Sequence, residues 1–218
     1  MKKYTLLLLI TVSLLNSCST TEKVQQKSLV VRDTEVNVLA KAINLSLDDL
    51  SGADLRGMDL RNSDFENKNL SRANLSDSDL SNANMKNANL ENAILERANL
   101  SNADLTGANL NNAKLKRANL SGAKMTNAKM SGTDLSNARM VLSAINKSNC
   151  SGATFRGAQF QETNFTESIM IKVDFTFTNL GSVKFDGASI HGSTINKAYK
   201  KMLEMQHVSG VNEVIWVD

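Results

Sequence analysis

The residues of this chain whose chemistry is easiest to recognise are its two histidines. His191 and His207 are separated by fifteen residues, and no cysteine lies near either of them. Metal sites and nucleophile–base pairs need such groups at short, defined spacings. A glycine-rich phosphate loop ahead of a helix is also missing, and Asp and Asn recur at regular intervals rather than as isolated pairs. We therefore predict no enzymatic activity, no metal site and no cofactor.

Covalent chemistry is expected at Cys18. The chain opens with Met1-Lys2-Lys3 and the mostly apolar run from Leu6 to Leu15, which is shorter than the about 20 helical residues that span a bilayer and is typical of an export signal. Leu15-Asn16-Ser17-Cys18 resembles the bacterial lipoprotein signal, whose cysteine becomes the lipidated first residue. This resemblance implies a membrane anchor at the cell envelope, with Ser19 favouring the outer membrane. The alternative is an ordinary secretory signal with an incidental cysteine.

Basic side chains form the second group of residues capable of recognition. Residues 45–195 carry sixteen basic and sixteen acidic side chains, but 45–80 is acidic (eight against four) and 81–150 is basic (nine against four). The basic middle could contact anionic lipid headgroups, lipopolysaccharide, peptidoglycan or an acidic partner, or it could be a solvated face. No aromatic residues are interleaved with these cations, so nucleic acid is not expected as a partner. The candidate basic surface comprises Lys114, Lys116, Arg117, Lys124, Lys129 and Arg139.

One pattern must position all of these residues: every fifth residue from Leu50 to Ile195 is apolar, thirty times in succession. A helix would rotate such positions by about 140° each, and a flat strand would send alternate members to opposite faces. Only a backbone with a five-residue unit can bury the whole set. The pattern therefore predicts a solenoid with a continuous core. Cys150 occupies one of these inward positions and is predicted to be a small core residue.

The sequence inside each period indicates which solenoid this is. Blocks such as Ala73-Asn74-Leu75-Ser76-Asp77 and Ala103-Asp104-Leu105-Thr106-Gly107 resemble the pentapeptide-repeat family. The resemblance implies an all-β fold, a right-handed quadrilateral parallel β-helix with four repeats per coil. Residues twenty apart should then stack, as in the pairs Phe155 with Phe175 and Phe165 with Phe185.

Three early repeats place Asp48, Met58 and Lys68 where a small inward residue is expected. We therefore predict an irregular first coil. A buried, unpaired ammonium group costs free energy, so the chain is expected to bulge at Lys68.

Four segments follow from these patterns. Residues 1–17 are a signal peptide, 18–44 the lipidated cysteine with a tether and N-terminal cap, 45–195 the β-helix and 196–218 a C-terminal cap. Within the cap, Asn196 to Gln206 is predicted to form a helix and Val214 to Val217 a strand that cover the open end of the solenoid. A homodimer contact through this end is a second expectation, because Trp216 and its apolar neighbours exceed what one small cap needs and C-terminal dimers are frequent in the family.

Several outward positions of the repeat are apolar where Ser, Asn, Gly or charged residues are usual. If they form one patch, it is the expected contact for an envelope protein or a second copy; alternatively, the C-terminal helix or a dimer mate covers them. These candidate protein contacts are Val141, Leu142, Ile169, Ile171 and Phe177, together with Trp216.

Together these observations predict a lipid-anchored envelope protein that acts as a non-catalytic rigid scaffold or protein-binding module. The resemblance to the pentapeptide-repeat family implies an alternative function, that of a DNA-mimicking protein that binds and protects DNA gyrase. The chain lacks a sustained acidic face for that role, and an export signal would remove it from the cytoplasm.

Overall fold

The computed structural model describes residues 48–218. The predicted signal peptide, Cys18, tether and N-terminal cap lie outside the described residues, as do residues 45–47 of the predicted β-helix. From residue 48 to Ile195 the backbone repeats one unit, in which each pentapeptide forms one side of a coil and pairs in parallel with the residue twenty positions further on, as Asn69 does with Asn89. Four pentapeptides therefore complete one coil.

Three backbone hydrogen bonds in each regular repeat hold successive coils together, and one of them joins turn to turn, as from the N–H of Arg72 to the carbonyl of Glu91 (2.9 Å). The N–H of Leu70 donates to the carbonyl of Asn89 (2.7 Å), and the N–H of Asn89 donates back to the carbonyl of Lys68 (2.9 Å). Most of these contacts are single parallel bridges. Extended strands form in two places: β1 (Arg139–Val141) pairs with β2 (Gln159–Gln161), and β3 (Thr194–Asn196) pairs with β4 (Ile215–Val217), both in parallel. The repeat segment is a parallel β-helix with coils stacked about 4.8 Å apart.

A tight turn joins each side of the coil to the next. The N–H of Ala73 donates to the carbonyl of Leu70 (3.1 Å), and Arg72, the third residue of that turn, has φ +60°. The same position has positive φ in every repeat from Gly52 to Gly192 except at Ser182. Type II turns require this conformation, which Gly and Asn adopt most readily. The five-residue spacing of the sequence is therefore the spacing of left-handed turn residues.

The core consists of the central residues of the repeats, all of which are buried from Leu50 to Ile195. In the C-terminal third it becomes aromatic, and the predicted stacks are confirmed: Phe155 and Phe175 lie 5.3 Å apart at 9°, and Phe165 and Phe185 lie 5.6 Å apart at 7°. Cys150 is fully buried in this core, and burial raises the pKa of its thiol far above the ordinary value. This cysteine is a structural residue, as its position in the period predicts.

The predicted bulge at Lys68 was wrong. The N–H of Lys68 donates to Phe65 (3.1 Å) and its carbonyl accepts from Asn89 (2.9 Å), as in regular repeats. The long side chain instead carries its charge outward, with Nζ 3.5 Å from Oδ1 of Asp48 and only 12% of the side chain exposed. Met58 keeps the ladder too, because its carbonyl accepts from Asp79 (2.9 Å). The first coil is thus regular, since a flexible stem can release its charge without moving the backbone.

After β3 the chain leaves the repeat. A 3₁₀ turn (Lys197–Tyr199) leads into helix α1 (Lys200–Met205), and a second 3₁₀ turn (Val211–Glu213) leads into β4. The helix begins later than predicted because the Asn196 side chain accepts from the Ala198 N–H (2.8 Å) and caps the 3₁₀ turn.

Two side chains fasten this segment to the last coil. Leu203 of α1 is fully buried. The Gln206 side chain accepts from the Phe185 N–H (2.7 Å) and donates to the Val183 carbonyl (3.3 Å).

The core makes a direct prediction about stability. Leu90 is fully buried, whereas Leu142 is 60% exposed. Leu90→Ala should lower the free energy of unfolding by about 2–5 kcal/mol, because it removes buried apolar area and leaves a cavity. Leu142→Ala, the matched control, should change it by less than about 0.5 kcal/mol. Urea denaturation measures both, and equal losses would contradict the inward assignment of the central residues.

The turns make a second prediction, because Leu142 (φ +58°) and Phe177 (φ +60°) are bulky apolar residues in the left-handed conformation. Leu142→Asn should raise the free energy of unfolding by about 1 kcal/mol. Phe177→Asn should change it little, since the relief of strain is offset by loss of a cation–π contact worth about 0.5–1 kcal/mol. Ile171→Asn is the control, as Ile171 lacks positive φ. A gain at Ile171 equal to that at Leu142 would show that the turn conformation is not the cause.

Candidate binding surfaces of the β-helix

The outward positions of the coils are where recognition has to occur, because the core is filled by side chains. Within residues 48–218, no group of His, Cys, Asp and Glu side chains is placed to hold a metal ion. Over the same range, no helix has both the length and the apolar character needed to cross a bilayer. Because the central residues are buried, the candidate sites lie among the residues that flank each central position.

Polar ladders occupy much of the outer surface. Asn69 Nδ2 donates to Asp49 Oδ1 (3.0 Å), Asn89 Nδ2 to Asn69 Oδ1 (3.2 Å) and Asn109 Nδ2 to Asn89 Oδ1 (3.1 Å). Each of these oxygens also serves the local turn, as when Asn69 Oδ1 accepts from the Ser71 N–H (3.2 Å). The amides are bonded to one another and to the backbone, so their function is structural.

Acidic side chains near the N-terminal end of the described chain are paired with arginine. The Arg56 guanidinium donates to both oxygens of Asp54 (2.7 and 2.6 Å) and thereby lowers the pKa of that carboxyl. Arg97 does the same to Asp77 (2.6 Å to each oxygen), again with a lowered carboxyl pKa. Arg61 pairs with Asp59 (2.6 Å). Much of the acidic charge is thus neutralised locally.

The six candidate basic residues of the middle differ, because they have no such partners. Among the described residues, no carboxylate lies within 4 Å of the charged nitrogens of the six candidate basic residues. The six do not share one face, however. Lys114, Lys116 and Arg117 belong to one repeat, whereas Lys124, Lys129 and Arg139 stand on the other three sides of the coil.

One edge of the rod does gather basic residues. We call it the basic edge and define it as the stacked turns 96–97, 116–117, 136–137, 156–157 and 176–177. Consecutive turns are linked by backbone bonds, for example Arg97 N to Lys116 O (3.0 Å) and Gly157 N to Thr176 O (2.9 Å). A shallow depression in it is lined by Glu96, Arg97, Lys116 and Arg117. The basic edge is therefore continuous over four coil spacings.

Arg156 and Phe177 end this edge, and Arg156 was missed from the sequence. Its Nη1 donates to Thr176 Oγ1 (2.9 Å), and its Cζ lies 4.4 Å from the centroid of the Phe177 ring. Phe177 is nevertheless 76% exposed. The signal that could have identified Arg156 was its spacing from Lys116, forty residues or two whole coils.

The structure does not bring the apolar candidates into one patch. Val141 and Leu142 follow core residue Met140, whereas Ile169 and Ile171 flank Met170, one and a half coils away and on the opposite side. Phe177 stands on the basic edge, which is a third location. Trp216 lies in β4 opposite Ile195, half-buried against the core, with Lys200 Nζ 5.8 Å from its ring centroid. These residues offer separate contacts.

A serine, a histidine and a carboxylate meet at the C-terminal end, which the sequence spacing did not reveal. Ser189 Oγ lies 2.8 Å from His191 Nδ1, and His191 Nε2 lies 3.7 Å from Glu213 Oε1. Gly210 packs on this imidazole so closely that a Cβ there would lie 2.6 Å from ring atoms. Packing under the turn after α1 thus accounts for the position of His191.

Comparison with known proteins bears on the family. The family model for pentapeptide repeats matches residues 49–87, 69–107, 83–122, 103–140 and 148–187 of this chain. No curated protein matches the chain.

Three solved structures illustrate the likeness. The chain is similar to HetL, a pentapeptide-repeat protein involved in heterocyst differentiation regulation from the cyanobacterium Nostoc sp. strain PCC 7120, at 28% identity over 68% of this chain and 70% of that one, with TM-score 0.32. It is also similar to alr5209, a pentapeptide-repeat protein from Nostoc PCC 7120. The two are 37% identical over 45% of this chain and 79% of alr5209, with TM-score 0.41. The third is QnrB1, a plasmid-mediated fluoroquinolone resistance protein, which is 23% identical over 72% of this chain and 84% of QnrB1, with TM-score 0.39.

All three TM-scores are below 0.5, so these superpositions carry no argument about function. The repeat match itself extends over more than half of the sequence and coincides with the coils described above. This chain therefore belongs to the pentapeptide-repeat family.

Proposed function

We propose that the protein is a non-catalytic scaffold or protein-binding module that is held at the bacterial cell envelope, with the outer membrane favoured, by lipid attached to Cys18. The observation that carries the scaffold role is the backbone ladder that links successive coils from residue 48 to Ile195, with one interruption at Asn179. Such a ladder holds outward side chains at fixed spacing on four sides, while the core leaves no space for a substrate. The anchor is supported by the sequence Leu15-Asn16-Ser17-Cys18.

Contacts with an envelope protein are expected where apolar side chains remain exposed. Ile171 and Phe177 are both exposed, as is Ile215 at the C-terminal end. β4 is the last rung on its side of the coil, and Trp216 lies within it. We propose that a homodimer forms through this C-terminal end.

Protection of DNA gyrase by DNA mimicry has less support. A DNA mimic needs a run of unneutralised acidic side chains along the rod. Here Asp54, Asp59 and Asp77 are paired with arginine, and the coils of residues 81–150 carry a basic excess.

The anchor is tested by substitution of its cysteine. Cys18→Ser should abolish incorporation of a radiolabelled or clickable fatty acid, because no thiol remains to be acylated. It should also release the protein from the membrane in a high-salt wash, which screens contacts through basic side chains, because several acyl chains at about 0.8 kcal/mol per buried methylene would otherwise give stable attachment. Cys150→Ala is the control, as that thiol is buried, and it should keep the label. Labelling of the Cys18→Ser protein, or a cytoplasmic wild type, would refute the anchor.

The dimer is tested at the exposed position of β4. Ile215→Asp should raise the dimer dissociation constant at least tenfold, because it buries an unpaired charge in the contact. Leu142→Asp is a matched control, since Leu142 (60%) and Ile215 (57%) are similarly exposed and lie at different places on the rod. Sedimentation equilibrium measures both variants. A monomeric wild type, or equal weakening by the two substitutions, would contradict a C-terminal dimer.

A further inference from the structure

Phe177 is out of place in two respects. It is a large apolar side chain left 76% exposed, and it adopts φ +60° where the other repeats mostly use Asn or Gly. Burial does not explain the choice of Phe at this position, and Gly or Asn would adopt the left-handed backbone conformation with less strain. Strained residues of this kind cluster at sites of contact. Within the described chain Arg156 covers one part of the ring, with its Cζ 4.4 Å from the ring centroid, and most of Phe177 is left open to a partner.

Its surroundings are cationic. Along the basic edge from Lys116 to Phe177 no acidic residue occurs. Lys116, Arg117 and Arg156 also form no ion pair within 4 Å with any carboxylate in the part of the chain that the structure describes. Arg156 is held towards Phe177 by its bond to Thr176 (2.9 Å). The edge thus presents cations over about 10 Å, two coil spacings, followed by an exposed ring.

The shape of this surface selects among anionic partners. Turn residues form the corners of a four-sided coil, so the basic edge is convex beyond the depression that Glu96, Arg97, Lys116 and Arg117 line. A convex edge can touch a flat surface along its whole length, whereas it offers no groove for a peptide. Anionic lipid surfaces attract basic side chains, and the Trp, Phe and Leu side chains of interfacial segments enter the boundary between headgroups and acyl chains.

We propose that the basic edge is a membrane-contact edge, in which Lys116, Arg117 and Arg156 bind anionic lipid headgroups and Phe177 enters the interface. This contact requires no acyl chain. The role of this contact in the cell rests on the proposed envelope location. There the contact would orient the anchored rod parallel to the bilayer surface.

Vesicle binding tests the charged part of the edge. The full chain carrying Cys18→Ser, which cannot be acylated, is mixed with phosphatidylcholine vesicles with and without phosphatidylglycerol, and bound protein is measured by sedimentation. Each basic residue contributes about fivefold in affinity, or about 1 kcal/mol, so Arg117→Gln with Arg156→Gln should weaken binding to the anionic vesicles about 25-fold. The matched control removes the same charge from two other sides, by Lys124→Gln with Lys129→Gln, and should weaken it less than threefold. Equal losses, or no loss at the edge, would overturn the proposal.

A local probe tests Phe177 independently of any binding through the N-terminal segment. An environment-sensitive fluorophore is attached to Phe177→Cys in the Cys18→Ser chain, where buried Cys150 is not labelled. Its emission should shift to the blue with anionic vesicles, whereas the same label at Leu142→Cys, on another edge, should not shift. Phe177→Asn should also lower binding without lowering the unfolding midpoint. An unshifted probe at position 177, as expected if an acidic protein is the true partner, would overturn the proposal. Because acylation is absent throughout, neither result depends on whether Cys18 is lipidated in cells.

Discussion

The left-handed turn residue in each pentapeptide is the constraint on which the structure depends. It turns the chain by one corner after five residues, so four repeats close a coil and the next coil lies directly over the first. The backbone bonds between coils, such as Leu70 N to Asn89 O, follow from that closure. Each central side chain then points to the axis, which explains why a period incompatible with helix or flat strand buries its whole apolar set.

The side-chain ladders give the rod a direction. In the column Asp49, Asn69, Asn89, Asn109 and Lys129, every amide donates towards Asp49. A carboxylate therefore stands at the N–H end of the aligned amides and a cation follows their carbonyl end. The same preference governs charged residues at the ends of helices. Asp59, Asp79, Asn99, Asn119 and Arg139 repeat the order on another side. The acidic start and basic middle of the repeat segment thus complement the polarity of its surface ladders.

Because the core and the ladders use the central residue and its two preceding neighbours, freedom to vary is left to the two turn positions. Of the residues proposed to bind a partner, Arg117, Arg156, Ile171 and Phe177 occupy such positions, whereas Ile215 lies in β4. The proposed lipid contact therefore lies at the corners of the rod. A corner residue can change without disturbing the backbone bonds, provided that it tolerates the turn conformation.

The sequence by itself determined the fold and the core, because the inward period is local and each pentapeptide repeats the same geometry. It also determined the buried role of Cys150 and the aromatic stacks, which depend only on spacings of twenty residues. It did not determine how Lys68 is accommodated, since the freedom of a long side chain to reach Asp48 is not a property of the repeat.

Only the tertiary structure decided which surface residues lie together. Cations close in sequence, such as Lys124 and Lys129, turn to different sides, whereas Arg117 and Arg156, thirty-nine residues apart, share an edge. The physical reason is that neighbours on the surface of a coil are set by stacking between coils, and the contact of Arg156 with Phe177 depends on side-chain conformation.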